Sequence, residues 1–329
     1  LLLEKAPLCA VVLLSCVVTY RVQKGAIFEP MPIPFRLENA VHSYAVYLKK
    51  FVFPADLACY YPMAPLGAGL VALSVAMLAA FTLVAWRLRT TRPYFLTGWL
   101  WFVGALVPMI GLVQVGGQAY ADRYTYFSSL GLGFIVALGL GDAVGRARLP
   151  RAAVILAGGA VLTVLGVATW RQTLVWRNNV ALFEHAVAAT GHNYLIRVLL
   201  AREYIEGNEP QRAEGMLQQA LSEGAPLVRI RVAMSALYDR ENREEDALHE
   251  IDAALAVEPN DPQMLMVRGI YLAKLGRNAE AVVVLQQAIA LDTLKNTQQL
   301  ALARRVLATA QSRLGRSEEN PEALPLAPR

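Results

Sequence analysis

The sequence predicts an all-α protein built of about five transmembrane helices followed by an α-solenoid. Three observations predict it. Apolar runs of bilayer length crowd residues 1–170 of the 329, which are 56% hydrophobic overall. Small and large residues recur every 34 positions through 194–295. The charge also changes character between the halves: residues 1–170 hold 13 Lys and Arg against 6 Asp and Glu, and residues 171–329 hold 18 against 20.

The transmembrane module is expected over 1–170, with spans at 6–20, 66–86, 94–115, 126–144 and 152–170. A helix needs about 20 apolar residues to cross a bilayer. The last four runs meet that length, and the first does so with Leu1–Leu3 or by snorkelling on Lys5 and Arg21. The 87–93 loop carries Arg87, Arg89 and Arg92 and the 145–151 loop carries Arg146, Arg148 and Arg151, without an acid in either. Short basic loops stay cytoplasmic, so 21–65, 116–125 and everything after Trp170 are expected on the other side. The basic balance therefore belongs to loops, and the slightly acidic soluble half argues against nucleic acid as a partner. A composition of 25 Arg against 6 Lys, rich in Ala, Leu and Val, fits a GC-rich bacterial genome, hence an inner membrane with the second half in the periplasm.

Within the outer segment 21–65, the alternate prolines Pro30, Pro32 and Pro34 predict an extended stretch over 28–34. An amphipathic helix is expected over 37–53, with Val41, Tyr44, Ala45, Leu48 and Val52 on one side and Asn39, His42, Lys49 and Lys50 largely elsewhere. It would lie on the membrane surface or, alternatively, roof a cavity between the spans.

In the second half, Ala201, Ser235 and Gly269 hold one small column, and Tyr204, Tyr238 and Leu272 follow three residues later. Ala213, Ala247 and Ala281 open a second helix, with Leu217, Ile251 and Leu285 as its large positions and Ala220, Ala254 and Ala288 as its small ones. Turns carry Gly207-Asn208, Asn242 and Gly276. A helix-pair repeat of this length is the tetratricopeptide repeat (TPR). The expected order is a junction with half a repeat at 171–193, three TPR units at 194–295, a capping helix at 296–316 and a disordered tail at 317–329. Such solenoids bind on their concave face, which would show Arg202, Glu206, Arg229, Asp239, Arg240, Gln263 and Lys274 to a protein or peptide partner.

Chemistry-bearing patterns are few. Cys9, Cys16 and Cys59 make no disulfide framework, and His185, His192 and His249 lack ligand-spaced companions, so no metal site is expected. Neither a P-loop nor a nucleophile elbow occurs in a supporting context. The loop Gln118-Ala119-Tyr120-Ala121-Asp122-Arg123-Tyr124-Thr125-Tyr126 places an acid and a base among tyrosines at a membrane interface. Ionisable groups there tend to be functional, and an arginine can fork onto a phosphate.

Ala121-Asp122-Arg123-Tyr124-Thr125-Tyr126 followed by Leu130-Gly131-Leu132 resembles an element of TPR-bearing GT-C-type membrane glycosyltransferases, the transmembrane-and-TPR O-mannosyltransferases and their bacterial relatives. Arg36-Leu37-Glu38-Asn39-Ala40, Tyr44, Tyr47-Leu48, Pro54 and Tyr60-Tyr61-Pro62 resemble that family's juxtamembrane segment, and Trp176-Arg177-Asn178-Asn179 with Leu182-Phe183 its junction into the repeats. The resemblance implies a membrane module that passes a sugar from a polyprenyl-phosphate carrier to a protein hydroxyl, with membrane lipid and an acceptor protein as partners. It implies that Arg123 contacts the carrier phosphate beside Asp122 and Tyr124, with Arg36 and His42 as weaker candidates. The family's catalytic acid lies on its first outer loop. This chain starts at Leu1-Leu2-Leu3 without an initiator Met and reads as the rear part of a longer protein. The catalytic acid is therefore expected upstream of these residues. The alternative is a non-catalytic, membrane-anchored scaffold of the cell envelope.

Overall fold

A computed structural model describes residues 31–112, 116–147, 150–291 and 297–319, together with 14, 17, 18 and 21. The described residues are all-α apart from turns, loops and an isolated β-bridge. The chain divides into two compact units, Leu1–Gly191 and His192–Arg329.

The first unit holds α1 (Ile33–Val52), α2 (Ala68–Arg87), α3 (Pro93–Leu106), a 3₁₀ turn (Asp122–Tyr124), α4 (Thr125–Ala147), α5 (Arg151–Val175) and α6 (Asn179–Thr190). Three stretches among the described residues are long and apolar enough to cross a membrane: Ala68–Arg87, Asp122–Ala147 and Arg151–Val175. Most of their side chains face outward without protein cover, the exceptions being Ser74 and Ala85 on α2 and Ser128, Gly131 and Leu132 on α4, and α5 has no buried residue at all.

Five helical spans were expected, and among the described residues three helices have the length and apolarity for one. Apart from Leu14, Val17 and Val18, the 6–20 run lies outside the described residues. The 94–115 run yields a helix of only 14 residues, α3. Val107 is still helical, but Pro108 lacks the N–H a continuing helix needs and its ring crowds the carbonyl four residues back. Gly111 then turns the chain at φ 92°. At 1.5 Å per residue α3 is about 21 Å long, short of a hydrocarbon core of about 30 Å.

The last turn of α3 and the irregular backbone after it are covered by α1. Arg36 Nη1 donates to the Leu112 carbonyl at 2.9 Å, and Tyr44 OH donates to the Val103 carbonyl at 2.8 Å. Buried backbone carbonyls need such partners. Helix α1 packs against α2 and α3. The helix begins at Ile33, earlier than expected, because Pro32 is its N-cap and Pro34 sits in the first turn, where a missing N–H does no harm. Its buried side is Asn39, Ala40, Ser43, Ala45, Tyr47 and Leu48, whereas Val52 is exposed. Asn39 is thus on the inner face, against expectation, because its Nδ2 donates to the Ala119 carbonyl at 2.8 Å.

Helices α3 and α4 pack closely through glycine. A Cβ added at Gly98 would strike the Gly131 carbonyl oxygen, and one added at Gly131 would strike that of Gly98. Small residues let helix backbones approach this way in membranes. Trp99, Phe102, Leu106, Ile110 and Leu132 fill the core beside this crossing, joined by Tyr47 and Leu48 of α1.

The second unit consists of α7 (Tyr194–Glu206), α8 (Pro210–Ser222), α9 (Leu227–Arg240), α10 (Glu244–Leu255), α11 (Pro262–Lys274), α12 (Asn278–Ala290) and α13 (Thr297–Glu319). It is a TPR-like series of helical hairpins. Helices α8, α10 and α12 begin at Pro210, Glu244 and Asn278, one 34-residue TPR period apart. The turn into each is closed by the same bond, from Glu209, Arg243 and Arg277 N–H to the carbonyls of Tyr204, Tyr238 and Leu272 at 2.8–2.9 Å. Ala213, Ala247, Ala281, Ala220, Ala254 and Ala288 are all fully buried, with Leu217, Ile251 and Leu285 between them. Those alanines sit where neighbouring helices touch, so any larger side chain would overpack the contact. Helix α13 extends to Glu319, beyond the expected start of the tail at 317, and residues 320–329 lie outside the described residues. The expected half repeat forms α6 and falls within the first unit.

Candidate functional site

The C-terminal turn of α1, the 53–67 loop and the 116–124 segment meet in one polar, aromatic cluster. Two staples bring the loops together. Pro62 and Gln118 form a β-bridge, and Ala119 N–H donates to the Tyr61 carbonyl at 2.9 Å. The Tyr47 hydroxyl accepts from Ala121 N–H at 3.1 Å and donates to the Ala121 carbonyl at 3.2 Å. From the other side the Leu57 carbonyl accepts from Gln172 Nε2 at 3.3 Å and His185 Nε2 at 3.1 Å. A carbonyl only accepts, so the His185 proton is on Nε2. His185, expected to be an ordinary polar residue, therefore helps to fix the loop that carries Tyr61.

At the centre, Lys50 Nζ and Asp122 Oδ1 are 2.7 Å apart, with both side chains largely shielded. The Tyr61 hydroxyl donates to Asp122 Oδ2 at 2.6 Å and accepts from Ala58 N–H at 2.6 Å and from Lys50. The Tyr61 and Tyr120 rings stack with centroids 4.3 Å apart, and the Lys50 ammonium lies 3.8 Å from the Tyr61 ring centre. Burial pushes the Tyr61 hydroxyl well above the ordinary tyrosine value, and its bond to Asp122 adds to that. Burial also raises Tyr47, and it pushes Tyr120 up to about 12 with Asp122 assisting. Burial lowers Lys50, against the opposing pull of Asp122. The phenols thus remain proton donors at neutral pH.

The sequence neighbours Asp122 and Arg123 do not pair with each other. Asp122 is committed to Lys50 and Tyr61, while Arg123 is exposed, with its guanidinium 5.2 Å from the Tyr124 ring centre. Among the described residues Arg123 makes no ion pair. The Tyr124 hydroxyl accepts from Gln118 Nε2 at 3.1 Å, and Tyr126 is 81% exposed.

Arg36 and His42 do not join this cluster. Arg36 lies 14 residues before Lys50 on α1, about 21 Å along the helix, where it is bonded to Leu112. His42 Nδ1 is 3.2 Å from Ser74 Oγ on α2, and Ser74 donates its own proton to the Leu70 carbonyl at 2.9 Å. His42 therefore carries its proton on Nδ1 and acts as a donor there, and burial lowers its pKa. Lys50, Tyr61 and Tyr120 are the participants that sequence reasoning did not single out. The Tyr47–Lys50 spacing, which puts both on one helix face, was the available signal.

In the second unit, Lys274 and Asp239 pair between α11 and α9, so two of the expected groove charges satisfy each other. Arg202, Glu206, Arg229, Arg240 and Gln263 are exposed. Among the described residues Arg202, Glu206 and Arg240 have no ion-pair partner. Glu223, nearly buried, holds Arg197 Nε at 2.7 Å and Asn193 N–H at 2.9 Å and fixes the start of the first hairpin. No group of three or more His, Cys, Asp or Glu side chains comes together among the described residues.

No protein-family model and no curated protein matches the chain. Among solved structures it is similar to the crystal structure of MamA protein, at 14% identity and a TM-score of 0.31, covering 49% of this chain and 93% of that one. At that score the description of the repeats rests on their own hairpin geometry.

Proposed function

We propose that this chain belongs to a GT-C-like membrane glycosyltransferase, in which Arg123 receives the phosphate of a polyprenyl-phosphate sugar donor and the helical repeats receive an acceptor protein. Arg123 carries the reading. It is an exposed guanidinium without an ion-pair partner among the described residues, at the head of a membrane-length helix. Its neighbouring acid is neutralised by Lys50. An arginine so placed has its donor fork open to an anionic headgroup. The Tyr61–Tyr120 stack and the Lys50–Asp122 pair would hold the turn that presents it. The arginine-bearing ends at 87–93 and 145–151 support an orientation with this site on the outer face of a bacterial inner membrane.

The test compares retention of a short polyprenyl phosphate with that of the uncharged polyprenol by the purified chain in detergent. Wild type should prefer the phosphate and Arg123→Ala should lose the preference. Equal retention of the two lipids by wild type would sink the reading.

A second reading, a membrane-anchored scaffold, is favoured by Arg202, Glu206 and Arg240, which remain exposed and without ion-pair partners among the described residues of the repeats. It predicts loss of partner capture in Arg202→Glu/Arg240→Glu with glycosylation of cell-envelope proteins unchanged.

A further inference from the structure

Along the middle of α4, the packing of α3 on α4 leaves a crevice of about 420 Å³ lined by Pro93, Tyr94, Thr97, Trp101, Phe134 and Leu138, with its mouth toward the end away from Arg123. That volume lies within the range of about 300–1,000 Å³ typical of ligand sites. Its floor is Gly98, at the point where the two helices come closest. The wall offers no free proton. Thr97 donates to the Pro93 carbonyl at 3.2 Å and Tyr94 donates to Asp142 at 2.8 Å. An occupant of this crevice must therefore be apolar along its length.

The mouth of the crevice is different. Asp142 Oδ2, which accepts from Tyr94, also has Arg92 Nε at 3.7 Å and Arg146 Nη2 at 3.8 Å. Neither distance is a hydrogen bond. Among the described residues, neither guanidinium makes a hydrogen bond elsewhere. Two arginines thus face one carboxylate, with one positive charge in excess and both donor forks open. A ligand that suits both parts has an apolar chain joined to an anionic group.

We infer that this crevice is a binding site for an anionic phospholipid, with an acyl chain between α3 and α4 and the phosphate bridging Arg92 and Arg146. The surrounding solvent of these helices supplies the chain, and charge complementarity selects the headgroup. Basic residues near a bilayer surface favour anionic lipid by about 1 kcal/mol each, which corresponds to roughly fivefold per arginine. The site is independent of the proposed role of Arg123, which lies at the other end of α4.

The experiment is native mass spectrometry of the full chain released from detergent, with phosphatidylglycerol and phosphatidylcholine of identical chains offered at equal concentration. Phosphatidylglycerol should be retained in several-fold preference. Arg92→Gln/Arg146→Gln should bring the ratio to one. Thr97→Trp, which fills the crevice and leaves every charge in place, should reduce retention of phosphatidylglycerol at least fivefold. Arg123→Ala should leave both lipids as in wild type. Equal retention of the two lipids by wild type overturns the inference, as does a preference that survives the double substitution or the tryptophan. Loss of the preference in Arg123→Ala alone would also overturn it and move the lipid to the other end of α4, leaving the reading of Arg123 standing.

Discussion

Lys50 and Asp122 lie 72 residues apart in sequence and 2.7 Å apart in space, and Tyr61 completes the contact from a third segment. The pair joins α1 to the turn that opens α4. Removing one partner of a shielded pair leaves an uncompensated charge, so the effect exceeds that of a surface bridge. Lys50→Met should lower stability by about 2 kcal/mol, reduced from a fully buried pair because Asp122 keeps some solvent and the Tyr61 bond. Lys50→Met/Asp122→Leu should recover at least half of that loss. Denaturant unfolding in detergent measures both, and a wild-type midpoint for Lys50→Met would show that the pair contributes nothing.

The same cluster predicts a pH dependence. A proton held more tightly in the folded state stabilises folding below the ordinary pKa, and that contribution is lost as pH rises through the folded value. Tyr120 is raised from 10.0 to about 12, and Tyr47 and Tyr61 are raised further by burial. Stability should therefore fall between pH 10 and 12. Lys50 acts in the opposite sense: its pKa is lowered from 10.5, so stability gained through it rises as pH approaches that value. Replacing Tyr120 by Phe should flatten the alkaline decline. An unchanged slope in that variant would remove Tyr120 from the effect.

Much of this architecture is legible in the sequence, for a physical reason that differs between the halves. In the repeats each small column marks a helix–helix contact, so Ala213, Ala247 and Ala281 announce their burial by recurrence alone. In the membrane half, length and apolarity identify α2, α4 and α5, because lipid demands about 20 apolar residues whatever the fold. The same criterion misleads at 94–115, where apolarity is uniform and the break is encoded by Pro108 and the turn at Gly111. The partner of Asp122 was not legible, because Lys50 reaches it only after two loops are stapled by Pro62 and Gln118. Asn39 was misplaced for a related reason: its polarity suits an outer face until the Ala119 carbonyl supplies a buried partner.

The close approach of α3 and α4 can be tested at its centre. Gly98 and Gly131 each leave no room for a Cβ, and the atoms they would meet include backbone, which cannot move aside. Gly98→Leu should destabilise the first unit by about 1–3 kcal/mol, the usual range for overpacking. Gly104, two turns on, meets nothing within 4 Å, and Gly104→Leu serves as the control with little change. Thermal unfolding in detergent separates the two. Equal effects at the two positions would mean that the helices can part freely.

The turns of the repeats provide a test in which each unit checks the others. Asn208, Asn242 and Gly276 occupy equivalent positions with φ of 59°, 57° and 77°. Left-handed backbone costs a residue with a Cβ about 1–2 kcal/mol, and glycine escapes it. Asparagine tolerates it better than alanine, because its side chain can bond to nearby backbone. Asn242→Ala should therefore lower stability by about 1 kcal/mol, and Asn242→Gly should leave it level or raise it slightly. The same pair of changes at Asn208 should give the same ordering, since the closing bond from Glu209 to Tyr204 matches that from Arg243 to Tyr238. Gly276→Ala should do more harm than Asn242→Ala, because it exchanges the freest residue for the strained one. Denaturant unfolding of the full chain ranks the variants. A ranking in which Asn242→Ala is at least as stable as Asn242→Gly would show that backbone conformation does not govern these turns.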